Sequence, residues 1–367
     1  MLTSWTLVAA LALAPAPQEA TATAPVPTAQ EVMAVPEALR TEVRERVRSP
    51  GSTRGEQLER LATYVFDEGG LVLQYDNETT RTVAEVYRDR KANCLSFTLL
   101  FVALAREVGL EAQVQEVGEV LAWYQDEGVI YSANHVNVGV RTAVQWQVVD
   151  VDSNIIAARN RPSGIDDHRA MAHFYNNRGA EAMAAGDLDA AQALLAASLS
   201  EAPGFVPAWN NLGVLKMRLD DAGGAEEAYL TALRRQRNHA PTMMNLVTLY
   251  RRTGDERMVR SFQRRLDNVQ RSDPFHQFML ALECENNGDY DCAIGRYKRA
   301  IRLQGDEHQF HFGLARVYFL SGNLELAQRE LGRAHTLGDT DHVRAIYRKK
   351  LDGLRRWREQ ASSQFDP

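Results

Sequence analysis

Residues Asn286–Ile301 read NNGDYDCAIGRYKRAI: a Gly-Asp turn, then Ala293, Tyr297 and Ala300 at helical spacing. The same turn returns 34 residues later as GNLELA at Gly322, and 34 earlier as GDERMV at Gly254. A further 68 residues towards the N-terminus stands GDLDAA at Gly186, and the missing member falls at Asp220, within LDDAGGAEEAY. Five turns at one period announce an internal repeat, and each repeat is one supersecondary unit stacked on its neighbours. Large and small residues precede each turn, as in Trp209, Leu212 and Gly213, or Leu314, Ala315 and Tyr318. Small, large, small follows it, as in Ala225, Tyr229 and Ala232, or Ala327, Leu331 and Ala334. Small residues let two helices approach, and large ones fill the gap to the next unit.

These residues resemble the tetratricopeptide repeat (TPR) family over about 172–340, the third unit departing most because Val259 takes the small-residue position. The resemblance implies an all-α solenoid of helix pairs whose concave face binds a peptide or protein ligand. Asn210, Arg218, Asn245 and Arg251 are the side chains of that face expected to bind a peptide backbone or carboxylate. The competing expectation is a scaffold packed against the first half of the chain.

Upstream, Leu58, Leu61, Tyr64 and Val65 mark a helix over Glu56–Phe66. Thr82 and Glu85 form a capping-box pair that opens a helix over Val83–Asp89. ANCLSFTLLFVALAREVGL (92–110) then has almost no polar face, so its helix is buried on most sides until Gly109 ends it. Asn93 caps that helix and Cys94 opens it. Free amides and the helix dipole at such a position favour a thiolate and can donate to an oxyanion. Strand periods follow at Gln113–Val117, Val120–Tyr124 and Val129–Tyr131. HVNVGVR (135–141) and WQVVDVD (146–152) both alternate, and we expect a hairpin whose loop centres between Thr142 and Ala143. His135 then faces Asp150, and a slip of one pair would substitute Asp152.

A helix-borne Cys, a His at a strand start and an Asp on the next strand are similar to the transglutaminase-like branch of papain-like cysteine enzymes, over roughly 56–155. Asn93 stands where that family commonly has Gly, and Val136-Asn137 replaces its frequent aromatic. The resemblance implies Cys94 as nucleophile, His135 as general base then acid, and Asp150 as orienter, with Asp152 the alternative acid. It implies thiol-dependent acyl transfer on peptide or protein amides: hydrolysis with water, the default acceptor, or cross-linking with an amine. The alternative is a non-catalytic TPR interaction protein that retains the fold. No cofactor is expected; Cys94, His135 and the acids lack close metal-ligand spacing, and no Gly-rich phosphate loop precedes a helix.

A net charge of −6 argues against a nucleic-acid binder, and no later apolar run reaches membrane-spanning length. Arg348, Lys349, Lys350, Arg355 and Arg356 cluster near the end, on a capping helix or a basic docking face. The apolar run Trp5–Ala14 suits a signal peptide, although no Lys or Arg precedes it, and implies export to the periplasm or medium. Ala14–Pro36 reads as a disordered linker. Of three cysteines, Cys284 and Cys292 fall close in the repeat register, as a disulfide or as two buried thiols; either way Cys94 is the odd one. The expected organisation is therefore signal peptide and linker over 1–36, and an α+β papain-like, transglutaminase-like domain over 37–168. Five repeats over 169–340 and a capping helix and tail over 341–367 follow.

Overall fold

The computed structural model describes residues 25–67, 69–76, 78–117, 123–126, 129–132, 135–143, 145–149, 163–338 and 341–363. The run Trp5–Ala14 lies outside them. The expected linker is ordered at its end. A short helix, α1 (Ala29–Val32), is opened by a reciprocal Thr28–Glu31 cap, and Val32 is fully buried. The Tyr175 hydroxyl donates to the Pro27 carbonyl at 2.7 Å. Apolar Val32 and Val35, rather than the surrounding Ala and Pro, decide the behaviour of this stretch.

Helices α2 (Glu37–Val47), α3 (Arg54–Phe66) and α4 (Val83–Asp89) surround α5 (Cys94–Glu107), in which every residue from Leu95 to Ala105 is buried. Burial of a large aliphatic or aromatic side chain contributes about 1.5–3 kcal/mol, so α5 is the anchor of this half. Gly109 ends it at φ +87°, a conformation that suits glycine. Strands β1 (Gln74–Tyr75) and β2 (Lys91–Ala92) form a two-residue parallel bridge. The main sheet runs β7 (Trp146–Val149), β6 (His135–Arg141), β3 (Glu111–Val117), β8 (Ser163–Ile165), antiparallel throughout. Val136, Val138 and Val140, with Ala112 and Val114, are buried on one face of it. Between β3 and β6 a separate hairpin, β4 (Trp123–Asp126) with β5 (Val129–Ser132), reaches over to the second half.

The β6–β7 hairpin differs from expectation. Val138 faces Val149, whereas a loop centred between Thr142 and Ala143 would have set it against Gln147. The Thr142 amide and hydroxyl both donate to the Gln145 carbonyl, at 3.0 and 2.9 Å, and this closure moves the register by two residues.

The second half stacks five helix pairs: α6 (Asp167–Ala184) with α7 (Leu188–Glu201), α8 (Val206–Arg218) with α9 (Ala222–Arg235), and α10 (Ala240–Thr253) with α11 (Glu256–Ser272). Then come α12 (Pro274–Asn286) with α13 (Tyr290–Leu303), α14 (His308–Leu320) with α15 (Leu324–Leu337), and the capping helix α16 (Asp341–Ser363). Close packing requires the small residues: a Cβ on Gly213 or Gly313 would overlap the Tyr229 or Tyr297 ring. The turn without glycine keeps the same left-handed backbone, at Asp220 with φ +57°. Cys284 and Cys292 are joined as a disulfide. The two halves share a core, since Ala170, Met171, Phe174 and Tyr175 of α6 belong to the cluster built on α5.

Candidate functional site

Cys94 is the first residue of α5, a partly exposed free thiol. The Asn93 side chain caps the helix, its Oδ1 accepting from the Ser96 amide at 2.8 Å. The other end of that carboxamide donates to the Thr80 hydroxyl at 2.8 Å. With Ser96 satisfied, the Cys94 and Leu95 amides are left as donors without an acceptor among the described residues, as the first turn of a helix provides. The Thr98 hydroxyl donates to the Cys94 carbonyl at 2.8 Å and lies 3.4 Å from the Val136 carbonyl. One side chain thus ties the cysteine's turn to the strand position beside His135.

His135 opens β6 opposite Val117, at the end of the β3–β6 pair. Helix α5 packs against β6, and Thr98, one turn after Cys94, reaches the strand position that follows His135. Asp150 and Asp152 lie outside the described residues. Asn137 of β6 is 4% exposed, and its Oδ1 and the Oε1 of its cross-strand neighbour Gln115 have no partner among the described residues.

The loop that holds Thr80 is anchored from the solenoid. The Thr80 amide donates to Glu181 Oε1 at 2.8 Å, and its carbonyl accepts from Arg178 at 3.0 Å; both residues belong to α6. Arg81 braces the same loop, its amide donating to the Ser96 hydroxyl at 2.7 Å and its guanidinium pairing with Asp76 at 2.7 Å. Burial pushes the Glu181 carboxyl up, while the Thr80 donors and the Arg178 and Arg81 cations pull it down. The sheet is tied to α6 as well. Glu116 of β3 accepts from Arg169 and contacts His173, both at 2.6 Å. Burial pushes Glu116 up, but the hydrogen bonds from His173 and Arg169 outweigh it and bring the carboxyl down to about 2. Sequence reasoning missed Thr80, Arg178 and Glu181, which carry no spacing signal.

Of the expected peptide-binding side chains, Asn210 and Asn245 are buried. Asn210 Oδ1 accepts from Asn245 and from Thr242, both at 3.0 Å, and the neighbouring Asn211 donates to Asn176 at 2.9 Å. Arg218 donates to the Met183 carbonyl, and Arg251 is exposed. Strand β5 lies against α8 and α10, the helices that carry these four residues. Among the described residues no cluster of His, Cys, Asp and Glu could hold a metal, and no helix is long and apolar enough to cross a membrane.

Residues 41–151 match the transglutaminase-like superfamily, and 182–249 and 278–341 match two tetratricopeptide repeat models. The chain carries a transglutaminase-like core domain followed by tetratricopeptide repeats, modules that suggest protein–protein interaction. No curated protein matches it. Solved structures that match part of the chain include the APC/C Cut9–Hcn1 hetero-tetramer, at 19% identity over 50% of this chain and 38% of that one, TM-score 0.27. Another is TTC0263, a TPR protein of Thermus thermophilus, at 22% identity over 49% of this chain and 98% of that one, TM-score 0.25. PilF of Pseudomonas aeruginosa matches at 15% identity over 54% of this chain and 90% of that one, TM-score 0.28.

Proposed function

We propose that the first half catalyses thiol-dependent acyl transfer on peptide or protein amides, with Cys94 as nucleophile and the solenoid recruiting partner or substrate. The observation that carries this reading is a free, partly exposed Cys94 at the capped N-terminus of a buried helix, beside the strand that begins with His135. The thiolate attacks the amide carbon and the oxyanion takes hydrogen bonds from free first-turn amides. The C–N bond then breaks as His135 gives the leaving nitrogen its proton. Water, activated by the same imidazole, resolves the thioester to acid and free thiol. An amine in its place would give a cross-link, and hydrolysis is the reading we adopt. Asp150 is the acid we assign to orient the imidazole, with Asp152 as the alternative.

Recruitment is supported by the repeat family and by β5, an extended strand of the chain's own set against α8 and α10. An extended segment of a partner would take the same face. Export is supported by the Cys284–Cys292 disulfide, which fits an oxidising compartment.

The test is the pH dependence of Cys94 alkylation by iodoacetamide, in wild type and His135→Ala. Alkylation faster than that of a model thiol at neutral pH, slowed by His135→Ala, supports an activated pair. A thiol that reacts only after unfolding ends the catalytic reading.

A further inference from the structure

The geometry points to Thr80 and Glu181 as positioning residues for Cys94, with the first helix of the solenoid supplying a carboxylate that orients the cap of the nucleophile's helix. The inference rests on the acyl-transfer reading of Cys94 given above. Each step of the chain has one direction. The Glu181 carboxylate only accepts, and the Thr80 amide donates to it at 2.8 Å. So anchored, Thr80 presents its hydroxyl oxygen to the NH2 end of Asn93, which donates to it at 2.8 Å. That fixes the oxygen end of the Asn93 carboxamide on the Ser96 amide. A carboxamide free to flip would set its NH2 end against the Ser96 N–H, a donor facing a donor, and the cap would be lost. An oriented cap leaves the Cys94 and Leu95 amides as the first-turn donors still open to an acceptor at the thiol.

Burial makes the arrangement specific. Thr80 is fully buried, and Asn93 is 8% exposed, so water does not readily replace a missing partner. Arg178, three residues before Glu181 and thus on the same face of α6, donates to the Thr80 carbonyl, so both polar groups of that peptide segment end on the solenoid. A solenoid serving only as a docking platform would have no need of a partly buried carboxylate at this position. Here α6 is a wall of the candidate site, and whatever shifts α6 shifts the donors around Cys94.

The test uses the full chain with Thr80→Val, Thr80→Ser, Glu181→Leu and Glu181→Gln, each first checked for native circular dichroism. Two readouts are taken: the rate of Cys94 alkylation against pH, and hydrogen exchange of the α5 first-turn amides. Loss of a helix cap costs about 1 kcal/mol, so Thr80→Val and Glu181→Leu should accelerate Ser96 exchange several-fold and slow alkylation at neutral pH by a similar factor. Thr80→Ser retains the hydroxyl and should stay within about twofold of wild type on both. Should Glu181→Leu fail to fold, Glu181→Gln gives the same reading, with a smaller loss because its one oxygen still accepts. The proposal is overturned if Thr80→Val leaves both readouts unchanged, or if Thr80→Ser is as impaired as Thr80→Val, which would indicate packing alone. An inert wild-type Cys94 would instead defeat the acyl-transfer reading, while Ser96 exchange would still decide whether Thr80 and Glu181 hold the cap.

Discussion

The asparagines inside the solenoid and the asparagine under Cys94 meet the same difficulty, a carboxamide removed from water, in two different ways. In the solenoid, Asn176 meets Asn211 and Asn210 meets Asn245, each bond joining positions 35 residues apart. The partner of each residue is nearly a copy of itself one repeat further on. Beneath Cys94, Asn93 meets Thr80 and Thr80 meets Glu181, 101 positions away in another element. Periodic polar networks stabilise a stack and are redundant, whereas the aperiodic one aims a single side chain. Substitutions in the first network should therefore change stability, and substitutions in the second should change reactivity.

The largest effect separating the two regions belongs to the repeat packing. Gly213→Val places a branched side chain where even a Cβ overlaps the Tyr229 ring. A loss of about 3 kcal/mol or more is expected from such overpacking, measured by urea denaturation. Asn210→Ala comes next. It strips the acceptor from Thr242 and Asn245, both buried, at about 2 kcal/mol. Hydrogen exchange should quicken in α8 and α10, while Cys94 alkylation in the folded chain stays unchanged. Slower alkylation in Asn210→Ala would dissolve the distinction between the two regions.

Acid should separate them in sequence. Burial pushes the His239 imidazole down to about 4, so the folded state holds it neutral and the unfolded chain binds a proton at its ordinary value of about 6.5. The stability it leaves intact above about 6.5 is therefore lost progressively as the pH falls towards 4, on the order of 3 kcal/mol. Glu116 runs otherwise. Its folded value of about 2 lies below the ordinary value of 4.5, so its contribution is present above 4.5 and is lost only as the pH falls towards 2. Exchange in the α8–α10 region should thus rise between pH 6.5 and 4, before the tie between β3 and α6 weakens. Simultaneous loosening of both would show that they unfold as one unit.

Legibility in the sequence follows the same division as the two networks. The turns at Gly186, Gly254, Gly288 and Gly322, the Thr82–Glu85 cap and Asn93 beside Cys94 are all local patterns. Local patterns state their partners within a few residues. The β6–β7 register escapes the alternation because the Thr142 side chain closes the turn. Residues 28–36 read as linker because Ala and Pro hide the apolar pair Val32 and Val35, although Thr28 and Glu31 spell a capping box. Thr80 and Glu181 offer nothing of this kind, since tertiary structure alone makes them neighbours.

The smallest effect lies at the other end of the same helix. Asp167, the first residue of α6, pairs with Arg106 near the end of α5 at 2.8 Å, with both side chains substantially exposed. Exposed pairs contribute about 0.2–1 kcal/mol and are screened by salt, so Asp167→Asn should cost a few tenths of a kcal/mol at most, and less in salt. Helix α6 therefore touches α5 at both of its ends: weakly at Arg106, and through Thr80 and Asn93 at Cys94. If α6 acts on the thiol through the Glu181 end, Asp167→Asn leaves alkylation as it is, while Thr80→Val slows it. Equal slowing by both would mean that the helix moves as a rigid whole, and that the orientation of Asn93 follows from where α6 sits rather than from which atoms it offers.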